Sequence, residues 1–241
     1  MFEAETGSRP VQAATARLAV NCARPEGPQR SSVLLLGNAY GVMPYVEPLG
    51  RLLAGMGHRT YWFPYRGQAG VPGVLSFGSA LEDIAEAVAC VRKETTEPLV
   101  ILAHCFSSLA AARFLGERRH GGVDGLIVYG LLANPLRRRA ASIPRLIESG
   151  VRFDFTEADW SLSAATLFRA VTVPVLFCHA RDSTNRMRAS VDELSAIARA
   201  TTSSEVEWFE EGYDENLTVL PTFARYYDQW LRLLATRVVP K

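Results

Sequence analysis

Residues 98–115, PLVILAHCFSSLAAARFL, decide the fold of this chain. Residues 99–103 form a short, continuous apolar run, which is typical of a strand buried in a parallel sheet. The small residues Ala103 and Ser107 lie two positions before and after Cys105, and an alanine-rich helix pattern begins at Ser107. The stretch therefore predicts a strand, a sharp turn and a helix, with the Cys105 side chain exposed at the turn.

Length and composition favour one domain over residues 1–241. Hydrophobic residues make up 48% of the chain and charged residues 21%, so a large core can form. The net charge is only +1, and the basic run Arg137, Arg138 and Arg139 is typical of a solvated helix face. We therefore expect no nucleic-acid partner.

Several other classes of site and location are also disfavoured. No cluster of His, Cys, Asp and Glu has ligand spacing and no phosphate loop is present, so we expect neither a metal nor a cofactor. The absence of a long apolar run and of a signal-peptide pattern predicts a cytoplasmic protein without a membrane partner. Since no cysteine pair has CxxC spacing, the four cysteines are expected to be reduced thiols.

Short apolar runs alternate with amphipathic helix patterns along the rest of the chain. This alternation predicts an α/β fold with a mostly parallel sheet and helices on both faces. An extended segment at 11–22 favours a leading antiparallel strand or hairpin. The predicted strands are 31–36, 58–63, 99–103, 123–131, 173–179 and 205–210, and the predicted helices are 45–56, 79–93, 107–117, 188–200 and 221–237.

The segment 134–169 is too long for an ordinary connection and contains its own apolar residues, among them Trp160. We predict that it forms a small helical lid, inserted into the domain, over a site. Whether it closes over a pocket or contacts a second subunit is left open, as is the oligomeric state.

Over residues 11–238 the order of elements resembles that of the α/β-hydrolase superfamily. The resemblance rests on the turn AHCFS (103–107), LLLGNAYG (34–41), WFPYRGQAG (62–70), VPVLFCHARD (173–182) and EGYDENLTVLPTFARYYDQWL (211–231). It implies the α/β-hydrolase fold, with a nucleophile, an acid and a histidine in that order along the chain.

In this resemblance, Cys105 takes the place of the nucleophile. A helix N-terminus favours a thiolate, which is intrinsically reactive; the alternative is a cysteine that only fills a small space. The oxyanion donors would be the backbone amide of Phe106 and that of Ala39 or Tyr40.

The acid and the histidine depart from the superfamily pattern. Asp182 lies about one residue early for the acid, so an orienting carboxylate and a plain loop residue are both open interpretations. The glycine that usually precedes the histidine, Gly212, is followed by Tyr213. The resemblance therefore predicts a degenerate triad.

Another histidine could replace the missing one. His179 ends a predicted strand at the edge where ligands bind in such sheets, so it is the main candidate to reach Cys105. His104 is expected to pack on the opposite face, while His58 and His120 are poorly placed.

Three functions remain open. The first is non-hydrolytic chemistry next to a carbonyl, such as epimerisation, isomerisation or cyclisation, which resembles that of degenerate members in natural-product clusters, including the bottromycin-type peptide epimerase. The second is a Cys105-dependent thioesterase or acyl-transfer cyclase, and the third is ligand binding without turnover. The partner would be a small-molecule or peptide substrate, either free or carrier-bound. The expected substrate-binding residues are Ala39, Tyr40, Phe106, Trp160, Met187 and Tyr213.

Overall fold

A computed structural model describes residues 11–12, 18–41, 44–68, 70–117, 122–181, 189–212 and 216–237. These residues form one eight-stranded sheet in the order β1-β2-β4-β3-β5-β6-β7-β8. Strands β1 and β2 are antiparallel to their neighbours, and the other strands run parallel. The strands are β1 Val11–Gln12, β2 Ala19–Ala23, β3 Ser31–Leu36, β4 His58–Trp62, β5 Leu99–His104, β6 Gly125–Tyr129, β7 Val175–Ala180 and β8 Ser204–Phe209.

Helices cover both faces of the sheet, as predicted. One face packs against α1 and α8, and the other packs against α2, α3, α6 and α7. Among the described residues, no helix has both the length and the hydropathy to cross a bilayer. The helices are α1 Val46–Gly55, α2 Phe77–Glu94, α3 Phe106–Glu117, α4 Pro135–Glu148, α5 Glu157–Trp160, α6 Ala164–Arg169, α7 Val191–Ala200 and α8 Leu220–Arg237.

The central strands explain why residues 98–115 have so clear a pattern of apolar side chains. Every residue of β3 and of β5 is buried, because a parallel strand with helices on both faces has no solvent side. In β5, Ile101 contacts one core layer and Leu102 contacts the other. Alternation along β5 therefore fixes the faces of the residues that lead into the turn.

Two helices begin two or more residues from the predicted start, because their caps decide where they begin. Helix α2 begins two residues early, at Phe77, after Ser76 and Ser79 form a reciprocal capping box. Helix α7 was expected from residue 188 but begins at Val191, after the N-cap Ser190. The apolar periodicity located both helices but not their first turns.

Segment 134–169 contains α4, α5 and α6. On α4, Ser142 and Leu146 are buried, whereas Ile147 is 65% exposed. After α4 the chain is held to the body by three backbone hydrogen bonds. The Leu75 amide donates to the Arg152 carbonyl at 2.8 Å, the Arg152 amide donates to the Gly67 carbonyl at 2.9 Å, and the Asp154 amide donates to the Leu75 carbonyl at 2.8 Å. The segment is thereby fixed against the loop that precedes α2.

His58 forms a buried polar connection at the opposite end of the sheet. Its Nδ1 lies 2.8 Å from Ser31 Oγ, and its Nε2 lies 2.9 Å from Asp228 Oδ1 on α8. Asp228 also accepts a hydrogen bond of 2.7 Å from Arg232. Because the His58 side chain is fully buried, this arrangement of serine, histidine and aspartate is inaccessible to a substrate and connects β3, β4 and α8.

We expect His58 to make the folded state sensitive to acid. Burial lowers the pKa of His58 below its ordinary value of 6.5, and the hydrogen bond to Asp228 offsets this only in part. The folded state therefore disfavours the proton that the unfolded chain binds, so stability is full above about pH 6.5 and falls below it. Urea unfolding at pH 8 and pH 5.5 measures the free energy of unfolding of the wild type and of His58→Gln. Between these two pH values, that free energy should fall less in the variant than in the wild type. Equal losses would contradict this role.

Candidate functional site

The turn between β5 and α3, which we call the elbow (residues 103–107), has the sharp geometry predicted from the sequence. Cys105 has φ 53° and, among the described residues, is the only non-glycine with a positive φ. This left-handed conformation costs a residue with a Cβ about 1 to 2 kcal/mol. Two hydrogen bonds hold it, since the Cys105 amide donates to the Tyr129 carbonyl at 3.2 Å and its carbonyl accepts from the Ser108 amide at 3.1 Å.

A cavity opens beside Cys105, between the elbow and the segment 134–169. The space in and around it amounts to about 440 Å³, a volume that includes solvent at its open mouth. Four of the predicted substrate-binding residues meet Cys105 there: Ala39, Tyr40, Phe106 and Trp160. The other described residues that line the cavity are Phe77, Leu132, Pro135, Ser142, Leu146, Phe155 and Asp159.

Aromatic rings form much of the cavity wall. The Phe106 ring lies 4.7 Å from that of Phe77 and 5.5 Å from that of Phe155, centroid to centroid. Phe155 also meets Trp160 edge to face at 5.5 Å. These tilted and edge-on contacts stabilise aromatic clusters, and they make the cavity suited to an apolar group.

Two backbone amides beside Cys105 have no acceptor among the described residues. Ala39 and Phe106 both line the cavity, and no hydrogen bond between described residues uses either amide. The Tyr40 amide, in contrast, donates to Asn38 Oδ1 at 2.8 Å. Of the two alternatives open from the sequence for the second oxyanion donor, Ala39 is therefore the one whose amide has no acceptor among the described residues.

The phenol of Tyr40 is a neutral polar group in this wall. Burial raises the pKa of Tyr40 above its ordinary value of 10, and a hydrogen bond with Ser142 offsets this in part. A negative charge on Cys105 also raises the pKa of Tyr40. Tyr40 is therefore protonated near neutral pH and can donate a hydrogen bond inside the cavity.

His104 lies on the face away from the cavity, as alternation predicts. It forms a short hydrogen bond with the Tyr45 hydroxyl, and its ring stacks on Tyr129 with centroids 5.1 Å apart. It is 4% exposed. Its described contacts explain it as a packed core residue.

His179 lies two strands from the elbow, in β7. The register aligns His104 with Tyr129 and Tyr129 with Cys178, so about 10 Å separates the backbones at this level. The His179 ring meets Trp208 of β8 edge to face at 5.6 Å, and His179 is not among the described residues that line the cavity. A dyad with Cys105 stays a prediction.

Three of the predicted site residues lie outside the described residues: Asp182, Met187 and Tyr213. The degenerate triad, which depends on the acid and on the residue after Gly212, therefore stays a prediction too. Within the described ranges, no group of three or more His, Cys, Asp and Glu residues could hold a metal ion.

Several residues of the cavity wall have no functional signal in the sequence. Phe77 and Phe155 are ordinary apolar residues in their local patterns, and Ser142 and Leu146 become wall residues only because α4 turns them inward. The Asp159 carboxylate caps its own helix, accepting from the Thr156 amide at 2.9 Å. The inward stripe of α4 was the one signal that could have indicated this wall.

Comparison with solved structures identifies the fold. The chain is similar to a monoacylglycerol lipase from Paleococcus ferrophilus (16% identity, TM-score 0.68, covering 90% of this chain and 99% of that chain). It is also similar to an esterase from Exiguobacterium antarcticum (13%, TM-score 0.68, 91% and 98%) and to the thioesterase domain from the curacin biosynthetic pathway (13%, TM-score 0.60, 89% and 94%). The α/β-hydrolase fold predicted from the sequence is confirmed.

Sequence comparison adds no closer assignment. No family model and no curated protein matches the chain. At 13 to 16% identity, the structural likeness establishes the fold, and function has to be argued from the site.

The strain at Cys105 predicts an unusual order of stabilities. Glycine adopts a positive φ without a Cβ penalty, so Cys105→Gly should be more stable than Cys105→Ala by about 0.5 to 1 kcal/mol. Urea unfolding measures this difference. Ser108 is the control: it lies in α3, so Ser108→Ala should be more stable than Ser108→Gly by about 1 kcal/mol. If the alanine variant is more stable than the glycine variant at both positions, the backbone of Cys105 is not strained.

Proposed function

We propose that this protein is an acyl-transfer enzyme of the thioesterase type, in which Cys105 attacks the carbonyl carbon of an apolar acyl thioester. The observation that carries the proposal is the strained backbone of Cys105, with φ 53°, at the wall of an apolar cavity. Such strain is kept where the surrounding structure uses it. Here it presents a thiol to the cavity.

In the first step Cys105 loses its thiol proton to solvent, and Sγ forms a bond to the acyl carbon. The carbonyl π electrons move to oxygen, and the amides of Ala39 and Phe106 are suited to stabilise that oxyanion. Collapse of the intermediate breaks the bond to the leaving thiolate, to which solvent then returns a proton. Attack by water, or by an acceptor amine or alcohol, releases the acyl group and returns the thiol.

Thioesters fit this site better than amides. A thiolate leaves with little help from an acid, whereas an amine must be protonated as it leaves. No described residue of the cavity wall is a histidine, so this part of the wall offers no imidazole for that role. A thiol nucleophile also depends less on a base than a serine does.

The shape and chemistry of the cavity favour an apolar acyl chain. Phe106 and Phe155 border it on one side, and Leu146 of α4 contributes from the segment 134–169. A carrier-bound or free thioester would present the same acyl group to these residues. The proposal therefore concerns the acyl group and leaves the carrier open.

Chemistry next to a carbonyl without hydrolysis is the second candidate. The same unpaired amides of Ala39 and Phe106 would stabilise an enolate, which also carries negative charge on oxygen. This candidate requires a base, and it does not require the Cys105 thiol. Exchange of a substrate Cα hydrogen with deuterated solvent, retained in Cys105→Ala, would support it over acyl transfer.

Acyl transfer is tested with hexanoyl-N-acetylcysteamine as the probe. We expect release of the free thiol and, after an acid quench, one hexanoyl group on Cys105 by peptide mass spectrometry. Cys105→Ala should lose both signals. Cys90→Ala is the matched control, because burial raises the pKa of Cys90 and keeps it unreactive. A wild type that gives neither signal, or a Cys105→Ala variant that keeps both, would overturn the proposal.

Chain-length preference tests whether the cavity binds the acyl group. Leu146→Trp should fill the cavity and raise KM for the hexanoyl thioester about 10-fold or more, with little change for the acetyl thioester. Ile147→Trp adds the same ring on the exposed side of the same helix and should leave both values unchanged. Steady-state kinetics measure them, and equal effects of the two variants would argue against this cavity as the acyl site.

A further inference from the structure

We propose that Asn38 and Gln68 are positioning residues that orient the Ala39 amide toward the reacting carbonyl oxygen. This inference rests on the proposed acyl transfer. It concerns the loop of residues 37–40, which follows β3 and borders the cavity through Ala39 and Tyr40. The side chains of Asn38 and Gln68 are buried and form hydrogen bonds with this loop.

Asn38 determines which of the two candidate donors, the amides of Ala39 and Tyr40, is already occupied. Its Oδ1 accepts from the Tyr40 amide at 2.8 Å, an Asx-turn in which the side chain takes the place of a backbone carbonyl. Asn38 is only 5% exposed, so water has little access to compete for this contact. Of the two candidate donors, the Tyr40 amide is thus occupied, whereas the Ala39 amide has no acceptor among the described residues.

Gln68 fixes the direction of that amide. Its Nε2 donates to the Asn38 carbonyl at 2.8 Å, and its Oε1 accepts from the Tyr65 amide at 3.0 Å. The Asn38 carbonyl and the Ala39 N–H belong to one trans peptide, in which the two groups point in opposite directions. Because Gln68 holds the carbonyl on one side, the N–H of Ala39 is directed to the other side.

The elbow and this loop are also connected to each other. Ser107 Oγ forms a short hydrogen bond with the Gly37 carbonyl, and it lies 2.9 Å from the Tyr65 hydroxyl. Ser107 is the second residue of α3, next to Phe106. The two unpaired amides, Ala39 and Phe106, are therefore held in one hydrogen-bonded unit that also contains Tyr65 and Gln68.

This arrangement meets the requirement for oxyanion stabilisation, which is that the donors be oriented before charge develops. A peptide between Asn38 and Ala39 that turned over would present a carbonyl to the cavity instead, and a carbonyl oxygen repels an oxyanion. Gln68 resists that rotation. Its role is separate from substrate binding, because it is not among the described residues that line the cavity.

The test compares two reactions of the same thiol in Gln68→Met. Acylation of Cys105 by hexanoyl-N-acetylcysteamine develops an oxyanion, whereas alkylation by iodoacetamide does not. We expect the acylation rate to fall about 10-fold or more, with the alkylation rate unchanged. Gln29→Met is the matched control, since Gln29 Nε2 also forms two side-chain hydrogen bonds, at 3.0 Å and 2.8 Å to Ser32 and Thr95, but away from the cavity. It should change neither rate.

Two results would overturn the inference: a parallel fall of both rates in Gln68→Met, which indicates general damage, or no fall in acylation. A wild type that is alkylated but never acylated would refute the proposed function instead. Amide hydrogen exchange by NMR then still decides the inference. Tyr40 should be protected and Ala39 not, with Tyr40 protection lost in Asn38→Ala, which removes the acceptor of that amide. A Tyr40 amide that exchanges as fast as Ala39 in the wild type would overturn the inference.

Discussion

The site depends on one constraint, the left-handed backbone of Cys105 between a buried strand and a helix. The hydrogen bonds of Cys105 to Tyr129 and Ser108 hold this conformation from both sides. It is also supported by packing, since Ala110 and Ala111 of α3 are completely buried and small side chains let a helix lie close to a sheet. The strain at one residue is thus offset by many contacts around it, which is the usual condition for strain to persist.

The cavity is a consequence of how the segment 134–169 is attached. Backbone hydrogen bonds of Leu75 with Arg152 and Asp154 fix the chain after α4, so the inward side of α4 faces the elbow. Phe155 then completes an aromatic cluster with Phe77 and Phe106. An apolar wall of this kind strengthens the few polar groups that it contains, because water cannot compete with them.

Two histidines of the described chain illustrate how position decides chemistry. His58 has both a serine and an aspartate partner, yet it is fully buried at the far end of the sheet. There it connects β3, β4 and α8. His104 directly precedes Cys105, yet strand alternation turns it to the opposite core layer, against Tyr45. Neither of these two rings is among the described residues that line the cavity.

The sequence by itself determined the fold and the position of Cys105, because buried parallel strands and a small-residue turn leave a local pattern of apolar and small side chains. It also indicated Ala39, Tyr40, Phe106 and Trp160 as neighbours of the thiol. Only the tertiary structure decided that Phe77, Ser142 and Leu146 join them, since these residues are distant in the chain and their own patterns are those of ordinary helices. It alone showed that the Tyr40 amide donates to Asn38 Oδ1, whereas the Ala39 amide has no acceptor among the described residues. The hydrogen bonds of a loop depend on partners distant in the chain, and here Gln68, 30 residues from Asn38, donates to the Asn38 carbonyl.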